Sequence, residues 1–114
     1  MDFVTHERAD GAVVVIEVPA RLDATVAEPF RTHMNQLVDQ GKFQLVMDFE
    51  KTTFMDSSGL GAIVSRIAVT RSNQGDVRLA RLSSFIRQLL ETTNLDKILT
   101  CFEDVDSAVQ SFGS

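Results

Sequence analysis

Residues 43–49 are the segment that most constrains the fold, because they are apolar at nearly every position. A strand with apolar side chains on both faces is typical of a parallel sheet that is covered on both sides in an α/β protein. We therefore expect this segment to lie at the centre of such a sheet. Gln44 and Asp48 are the two polar residues in this segment. Since a buried carboxylate needs partners, we expect Asp48 to make a structural hydrogen bond that supports the following loop.

The residues before this strand predict an antiparallel pair of strands. Residues 3–8 mix apolar and polar side chains as an edge strand does, and residues 13–18 are rich in β-branched side chains. Asp10 and Gly11 between them favour a hairpin. Residues 20–24 have no clear period, and we expect them to form a loop that leads into a helix.

The first predicted helix has five apolar residues at helical spacing. Thr25 and Glu28 match a capping box, and Gly41 suits a C-terminal stop. Pro29 conflicts with a helix interior, so we expect the regular helix to begin nearer Glu28. The apolar residues of this helix are Val26, Phe30, Met34, Leu37 and Val38.

The residues after the central strand continue the alternation of helices and strands. In chain order they predict a helix over residues 60–71, a strand over residues 77–82, a helix capped by Ser83, a strand over residues 98–102 and a helix capped by Asp104 or Asp106. The helix after Ser83 carries Phe85, Ile86, Leu89 and Leu90.

The complete order, β-β-α-β-α-β-α-β-α, predicts one α/β domain over residues 1–114. The alternation implies a mixed, mostly parallel sheet with right-handed crossovers, packed with about four α-helices. A length of 114 residues fits one domain and is too short for two separate cores.

Composition and charge limit the partners. Apolar residues make up 44% and charged residues 24%, which is ordinary for a globular protein. The net charge of -5 argues against DNA or RNA, whose phosphates attract basic patches, and suits a basic protein surface better. Cys101 is the only cysteine, so no internal disulfide can form and a reducing compartment is the simplest assumption. Because no run approaches the ~20 apolar residues of a membrane span, we expect a cytoplasmic protein without a membrane partner.

Enzyme and metal sites are disfavoured. Neither Gly-x-x-x-x-Gly-Lys-Ser/Thr nor Gly-x-Gly-x-x-Gly occurs, and Ser58 is not set in Gly-x-Ser-x-Gly. His6 and His33 have no cysteine or carboxylate at metal-ligand spacing, and neither has an evident claim to be a base for Ser58. We expect no enzyme, cofactor, metal or small-molecule substrate. The arginines at 66, 71, 78 and 81 are expected to form solvated faces, some of which could rim a partner surface.

The run Phe54-Met55-Asp56-Ser57-Ser58-Gly59-Leu60-Gly61 places two hydroxyls and a carboxylate where a strand is expected to turn into a helix. Such residues favour helix N-caps, and the bare pattern favours a cap over a functional site. If Ser57 is the N-cap, its oxygen bonds an amide two or three residues on, and Ser58 is the freer hydroxyl.

A phosphate on Ser58 would lie beside open backbone amides at the positive end of the helix. It would also add about -1.5 to -2 charge next to Asp56. It should therefore act outward, on whatever docks over the turn. Gly59 and Gly61 would leave room for a partner backbone to approach.

These residues resemble the signature of the STAS domain family, and specifically that of bacterial anti-sigma factor antagonists. Residues 45–49 resemble the strand before the signature, and Arg21-Leu22-Asp23 resembles the family's Gly-x-Leu-Asp loop. Ala20 replaces the usual glycine of that loop, which makes the loop stiffer.

The resemblance implies a phosphorylation-switched binding module. It implies that Ser58 is phosphorylated by a partner anti-sigma factor, a serine kinase of the GHKL fold, and restored by a PP2C-type phosphatase. The unphosphorylated protein would bind the kinase and free its sigma factor or other target. Asp23 and Asp56 match acidic positions that resemble contributors to kinase docking. The predicted partner-binding residues are Arg21, Asp23, Asp56, Ser57, Ser58, Gly59, Leu60 and Gly61.

Two rival classes remain open. The same family includes scaffold subunits of large signalling complexes and domains of transporters, so a scaffold is the main alternative. A hydrolase that uses Ser58 is the other.

Overall fold

A computed structural model describes residues 3–113 and contains a five-stranded sheet of order β1-β2-β4-β6-β7. Strand β1 pairs antiparallel with β2, and the remaining pairs are parallel. The mixed, mostly parallel sheet is confirmed, and β4 lies at its centre as expected for an apolar strand. The five strands are β1 (Thr5–Arg8), β2 (Val13–Glu17), β4 (Gln44–Asp48), β6 (Asp76–Ala80) and β7 (Thr100–Phe102).

Two further strands form a separate sheet where the sequence predicted only a loop. Strand β3 (Arg21–Leu22) pairs in parallel with β5 (Phe54–Met55). Two residues are too few to show a period, and each strand exists only because the other lies beside it. The prediction that residues 20–24 form a loop is therefore wrong for Arg21 and Leu22, which form a strand.

The helices divide the chain more finely than expected. The predicted helix over residues 60–71 is two helices, because Arg66 leaves the helical conformation at φ -105° and ψ 3°. Ser65 Oγ donates to Ala62 O over 2.6 Å, so a side chain binds a backbone carbonyl where the first helix ends. The helices are α1 (Ala24–Asp39), α2 (Ser57–Val64), α3 (Ile67–Ser72), α4 (Ser84–Thr92) and α5 (Val105–Gly113), with a short 3-10 helix at Leu95–Lys97.

Helix α1 begins earlier than predicted and has a different cap. Asp23 is the N-cap, and its Oδ1 accepts from the Thr25 amide at 3.1 Å and the Thr25 hydroxyl at 2.6 Å. The capping box does not form, since Glu28 pairs with Arg31 instead. The helix continues through Pro29 because buried Ala27 and Phe30 hold this turn against the core. The prediction that the regular helix begins nearer Glu28 is wrong.

The central strands are apolar throughout because helices cover both faces of the sheet. On one face Ile16, Met47 and Leu79 pack with residues of α1 to α4 in the larger core. On the other face Val15 and Val46 pack against α5. Alternate residues of one strand thus enter different cores. Asp104 precedes α5 and caps it, because its Oδ1 accepts a hydrogen bond from the Ser107 amide at 2.7 Å.

Asp48 makes the structural hydrogen bond that the sequence predicted. Its Oδ1 accepts the Glu50 amide at 3.1 Å, which supports the loop after β4. Arg81 also donates to both carboxylate oxygens, from Nε to Oδ1 at 3.0 Å and from Nη2 to Oδ2 at 2.7 Å. The backbone of Arg81 has a positive φ of 60°. Arg81 is therefore a structural clamp, although its side chain remains 38% exposed. Arg71 and Arg78 are likewise bound, both to Asp76.

Candidate functional site

Two helix starts lie side by side at the edge of the small sheet. The register pairs Arg21 with Phe54 and Leu22 with Met55, so the next residue of each strand is the aspartate that begins a helix. Asp23 caps α1, and Asp56 caps α2. The loop around Asp23 and the turn around Ser58, which the sequence assigns to one partner surface, thus lie next to each other.

Asp56, not Ser57, caps α2. Its Oδ1 accepts the amide of Ser58 at 2.9 Å and that of Gly59 at 3.1 Å. Strand β5 ends at Met55, so Asp56 is the first residue with an extended conformation outside the strand, at φ -113° and ψ -172°. Aspartate and serine are about equally good N-caps, and the end of the strand decides between them. The prediction of a Ser57 cap is wrong.

Both serine hydroxyls are consequently released from capping. Ser57 is the first residue of α2 and is exposed, whereas Ser58 is the second and is half-buried. Within residues 3–113 neither Oγ makes a hydrogen bond, and Asp56 Oδ2 also accepts none. The turn therefore presents two free hydroxyls and one free carboxylate oxygen.

Gly59 is required by the protein itself rather than by a partner. A Cβ at this position would lie 2.1 Å from Leu22 O, so β3 and α2 approach too closely for any side chain. Gly61 has more room, since a Cβ there would meet only Arg31 Nη2 at 3.9 Å. Leu60 is buried in the larger core. Of these three residues, only Gly61 leaves space at the surface.

Arg21 and Asp23 meet at the start of α1. Arg21 Nε lies 3.5 Å from Asp23 Oδ2, and the Arg21 guanidinium lies 4.4 Å from the centroid of the Phe54 ring. The pKa of the Asp23 carboxyl is lowered, chiefly by the hydrogen bond from the Thr25 hydroxyl. Asp23 is therefore ionised at neutral pH, and Arg21 partly balances its charge.

The sequence did not identify Phe85 as part of this surface. Phe85 is 47% exposed, and its ring stacks on that of Phe54 with centroids 6.4 Å apart and planes at 19°. Only Ile86 and Leu90 of the apolar residues of α4 are buried. A helix with apolar residues at 85, 86, 89 and 90 has a wider apolar face than the core covers, which is a signal for an exposed aromatic residue.

The histidines lie in other contacts. His6 Nε2 is 2.9 Å from Glu17 Oε2, and His33 Nε2 is 2.9 Å from Thr5 Oγ1. No group of three or more histidine, cysteine, aspartate or glutamate side chains within residues 3–113 is arranged to hold a metal ion. In the same part of the chain, no helix combines the length and apolar character needed to cross a membrane.

Comparison with known proteins identifies the family. A model of the STAS domain matches residues 4–108, so the chain belongs to the STAS domain family. A curated relative is an anti-sigma F factor antagonist from Paenibacillus polymyxa, 24% identical over 98 residues, which cover 85% of this chain and 84% of that protein. The predicted resemblance is confirmed.

Solved structures share the fold. An anti-sigma-factor antagonist (STAS) domain protein from Planctomyces limnophilus superposes with a TM-score of 0.88 at 22% identity, covering 100% of both chains. The Bacillus cell fate determinant SpoIIAA in its phosphorylated form gives a TM-score of 0.73 at 24% identity, covering 96% of this chain and 98% of that one. The predicted α/β fold class is confirmed.

Proposed function

We propose that this protein is an anti-sigma factor antagonist controlled by phosphorylation of Ser58. Unphosphorylated, it binds a serine-kinase anti-sigma factor of the GHKL type in the cytoplasm and frees the sigma factor or other target. Phosphorylation by that kinase makes this protein dissociate from it, and a PP2C-type phosphatase removes the phosphate from Ser58. The protein is a kinase substrate in this scheme and not a catalyst.

The observation that carries the proposal is the free hydroxyl of Ser58 at the start of α2. Its Oγ makes no hydrogen bond within residues 3–113, so a kinase need not break an internal contact to reach it. Ser57 has the same freedom, and the choice of Ser58 rests on its match to the family signature. The antagonist relative and the phosphorylated SpoIIAA structure support the same choice of function.

The site also explains how a phosphate could change binding without unfolding the domain. Asp56 already occupies the amides of Ser58 and Gly59, so a phosphate on Ser58 has no open cradle there. The phosphate would add a charge of about -1.5 to -2 next to the Asp56 carboxylate, on the side of the turn that faces the partner. Helix α2 stays in place because Leu60 and Ile63 are buried. Repulsion and bulk therefore act on the docked partner.

The acceptor is tested by incubating the protein with ATP and its cognate kinase, followed by mapping of the phosphate by mass spectrometry. We expect one phosphate at Ser58, and no incorporation in Ser58→Ala. Ser57→Ala and Thr25→Ala are matched controls, because Thr25 is the second residue of α1 as Ser58 is of α2. Phosphate on Ser57 or Thr25 in the wild-type protein would contradict the assignment.

A further inference from the structure

Outside the Ser58 turn, the exposed apolar feature that contacts the site is the outer face of α4. Phe85, Gln88, Leu89 and Thr92 line a shallow groove of about 200 Å³. Phe85 is 47% exposed and Leu89 is half-buried against the larger core, while Ile86 and Leu90 on the adjoining face of the helix are fully buried in it. About half of the Phe85 surface is therefore left uncovered by the domain.

The groove is continuous with the proposed kinase surface through Phe54. The Phe85 ring stacks on Phe54, and Phe54 in turn lies under the Arg21 guanidinium. Phe54 is two residues before the Asp56 cap. A partner that covers Ser58 and Arg21 thus has Phe85 within the same stretch of surface.

The groove is too small to be an interface by itself. An aromatic side chain offers about 200 Å², so the exposed part of Phe85 amounts to about 100 Å². A stable protein–protein interface buries about 800 Å² on each partner. An exposed phenylalanine of this size suits one anchor of a larger contact, and the Ser58 turn is the adjoining surface that such a contact would share.

We infer that the α4 groove is a second docking point for the kinase, which places an aliphatic or aromatic side chain against Phe85 and Leu89. The inference rests on the proposed function, since it assigns the groove to the partner that phosphorylates Ser58. Phe85 acts in substrate binding here and does not touch the transferred phosphate. Loss of Phe85 should therefore raise KM for this protein with little effect on kcat.

The test uses the kinase purified from an extract of the source cells. Its ATP-dependent phosphorylation of the wild-type chain is the activity followed during purification. The steady-state rate of Ser58 phosphorylation is measured for wild type, Phe85→Ser and Val4→Ser. Val4 is a matched control because it is 50% exposed and precedes β1, whereas α4 connects β6 to β7 at the opposite edge of the sheet. Circular dichroism confirms that both variants fold.

We expect Phe85→Ser to raise KM by about tenfold while kcat stays within about twofold, and Val4→Ser to match wild type. Equal KM values for Phe85→Ser and wild type would overturn the docking point but leave the proposed function standing. Failure of any extract to phosphorylate wild-type Ser58 would overturn both. A wild-type dimer that Phe85→Ser dissociates, seen by light scattering, would assign the groove to a second copy and overturn the kinase as its occupant.

Discussion

At the scale of single residues, the two glycines of the motif have different roles although they are two positions apart. Gly59 sits against the carbonyl oxygen of Leu22, so the contact between β3 and α2 depends on the absence of a side chain. Gly61 faces open space near Arg31 and has no comparable restraint. The fold itself requires glycine at position 59, whereas at position 61 only the close approach of a partner could require it.

Gly59→Ala and Gly61→Ala should accordingly change stability in opposite directions. We expect Gly59→Ala to lower the free energy of unfolding by about 1–3 kcal/mol or more, because the new methyl group would overlap backbone. Gly61→Ala should raise it by about 0.5–1 kcal/mol, because alanine favours a helix over glycine. Urea denaturation of both variants and wild type measures the effect. Similar stability of the two variants would contradict the close approach of Leu22 to α2.

The capping residues show what local sequence can and cannot predict at this scale. The sequence placed the caps one or two residues too late, assigning them to Thr25 and Ser57 rather than Asp23 and Asp56. Threonine, serine and aspartate are all good N-caps, so propensity does not separate them. The pairing of β3 with β5 decides, and that pairing joins residues more than 30 positions apart.

At the scale of elements, Arg81 joins the carboxyl ends of two neighbouring strands. It follows β6 and binds Asp48, the last residue of β4, through two hydrogen bonds, while its Nη1 donates to Glu50 at 2.7 Å. The pKa of Arg81 is raised, chiefly by the hydrogen bond to Asp48. The Asp48 side chain is 8% exposed, so Arg81 supplies hydrogen bonds to a carboxylate that has little access to solvent.

Arg81→Ala should therefore destabilise the domain by about 2 kcal/mol, since it removes charged hydrogen bonds from a buried carboxylate. Asp48→Asn should recover part of that loss in the Arg81→Ala background. Arg87→Ala is the matched control, because Arg87 is exposed on α4 and makes no salt bridge within residues 3–113. Additive effects of Arg81→Ala and Asp48→Asn in a double-mutant cycle would show that the clamp contributes nothing.

The main strands and helices were predictable because their patterns are local. Strand β4 is apolar at successive positions because both of its faces are buried. Helix α1 has apolar residues at helical spacing because only one of its faces is buried. The two-residue strands β3 and β5 were not predictable, since their pairing depends on residues distant in sequence. The break between α2 and α3 was missed because it depends on the side-chain bond of Ser65, which no apolar period records.

At the scale of the whole molecule, the larger core joins α1 to α4 with the sheet, so the site is built on the main body of the domain. Helices α1 and α2 pack on each other as well as on the strands, which keeps the Asp23 and Ser58 turns together. The family could be predicted from one motif and its neighbours. The α4 groove could not, because only the folded chain brings Phe85 to Phe54.

Among residues 3–113, three carboxyl groups with a lowered pKa link global stability to acid pH. The pKa of Glu17 is lowered first by its hydrogen bond to His6, that of Asp23 by the Thr25 hydroxyl and that of Asp104 by the Ser107 amide. A carboxyl whose folded pKa is below its unfolded value stabilises the fold above the unfolded pKa, which is about 4. That stabilisation is lost as pH falls through the lower folded pKa.

Thermal denaturation should thus give a nearly constant Tm from neutral pH to about pH 5 and a falling Tm below about pH 4. Thr25→Val should raise the pKa of Asp23, because it removes the hydroxyl that stabilises the carboxylate. Carboxyl NMR titration measures that pKa directly. A Tm that rises on acidification below pH 4 would contradict the assigned direction of these shifts.

A phosphate on Ser58 should weaken partner binding while the domain stays folded. Calorimetric titration of the purified kinase with the unphosphorylated chain and with the stoichiometrically Ser58-phosphorylated chain tests it most directly. We predict that the phosphorylated form binds at least about tenfold more weakly, equivalent to about 1.4 kcal/mol, and has the circular dichroism spectrum of the unmodified form. Equal affinity of the two forms for the kinase would contradict a binding switch at Ser58.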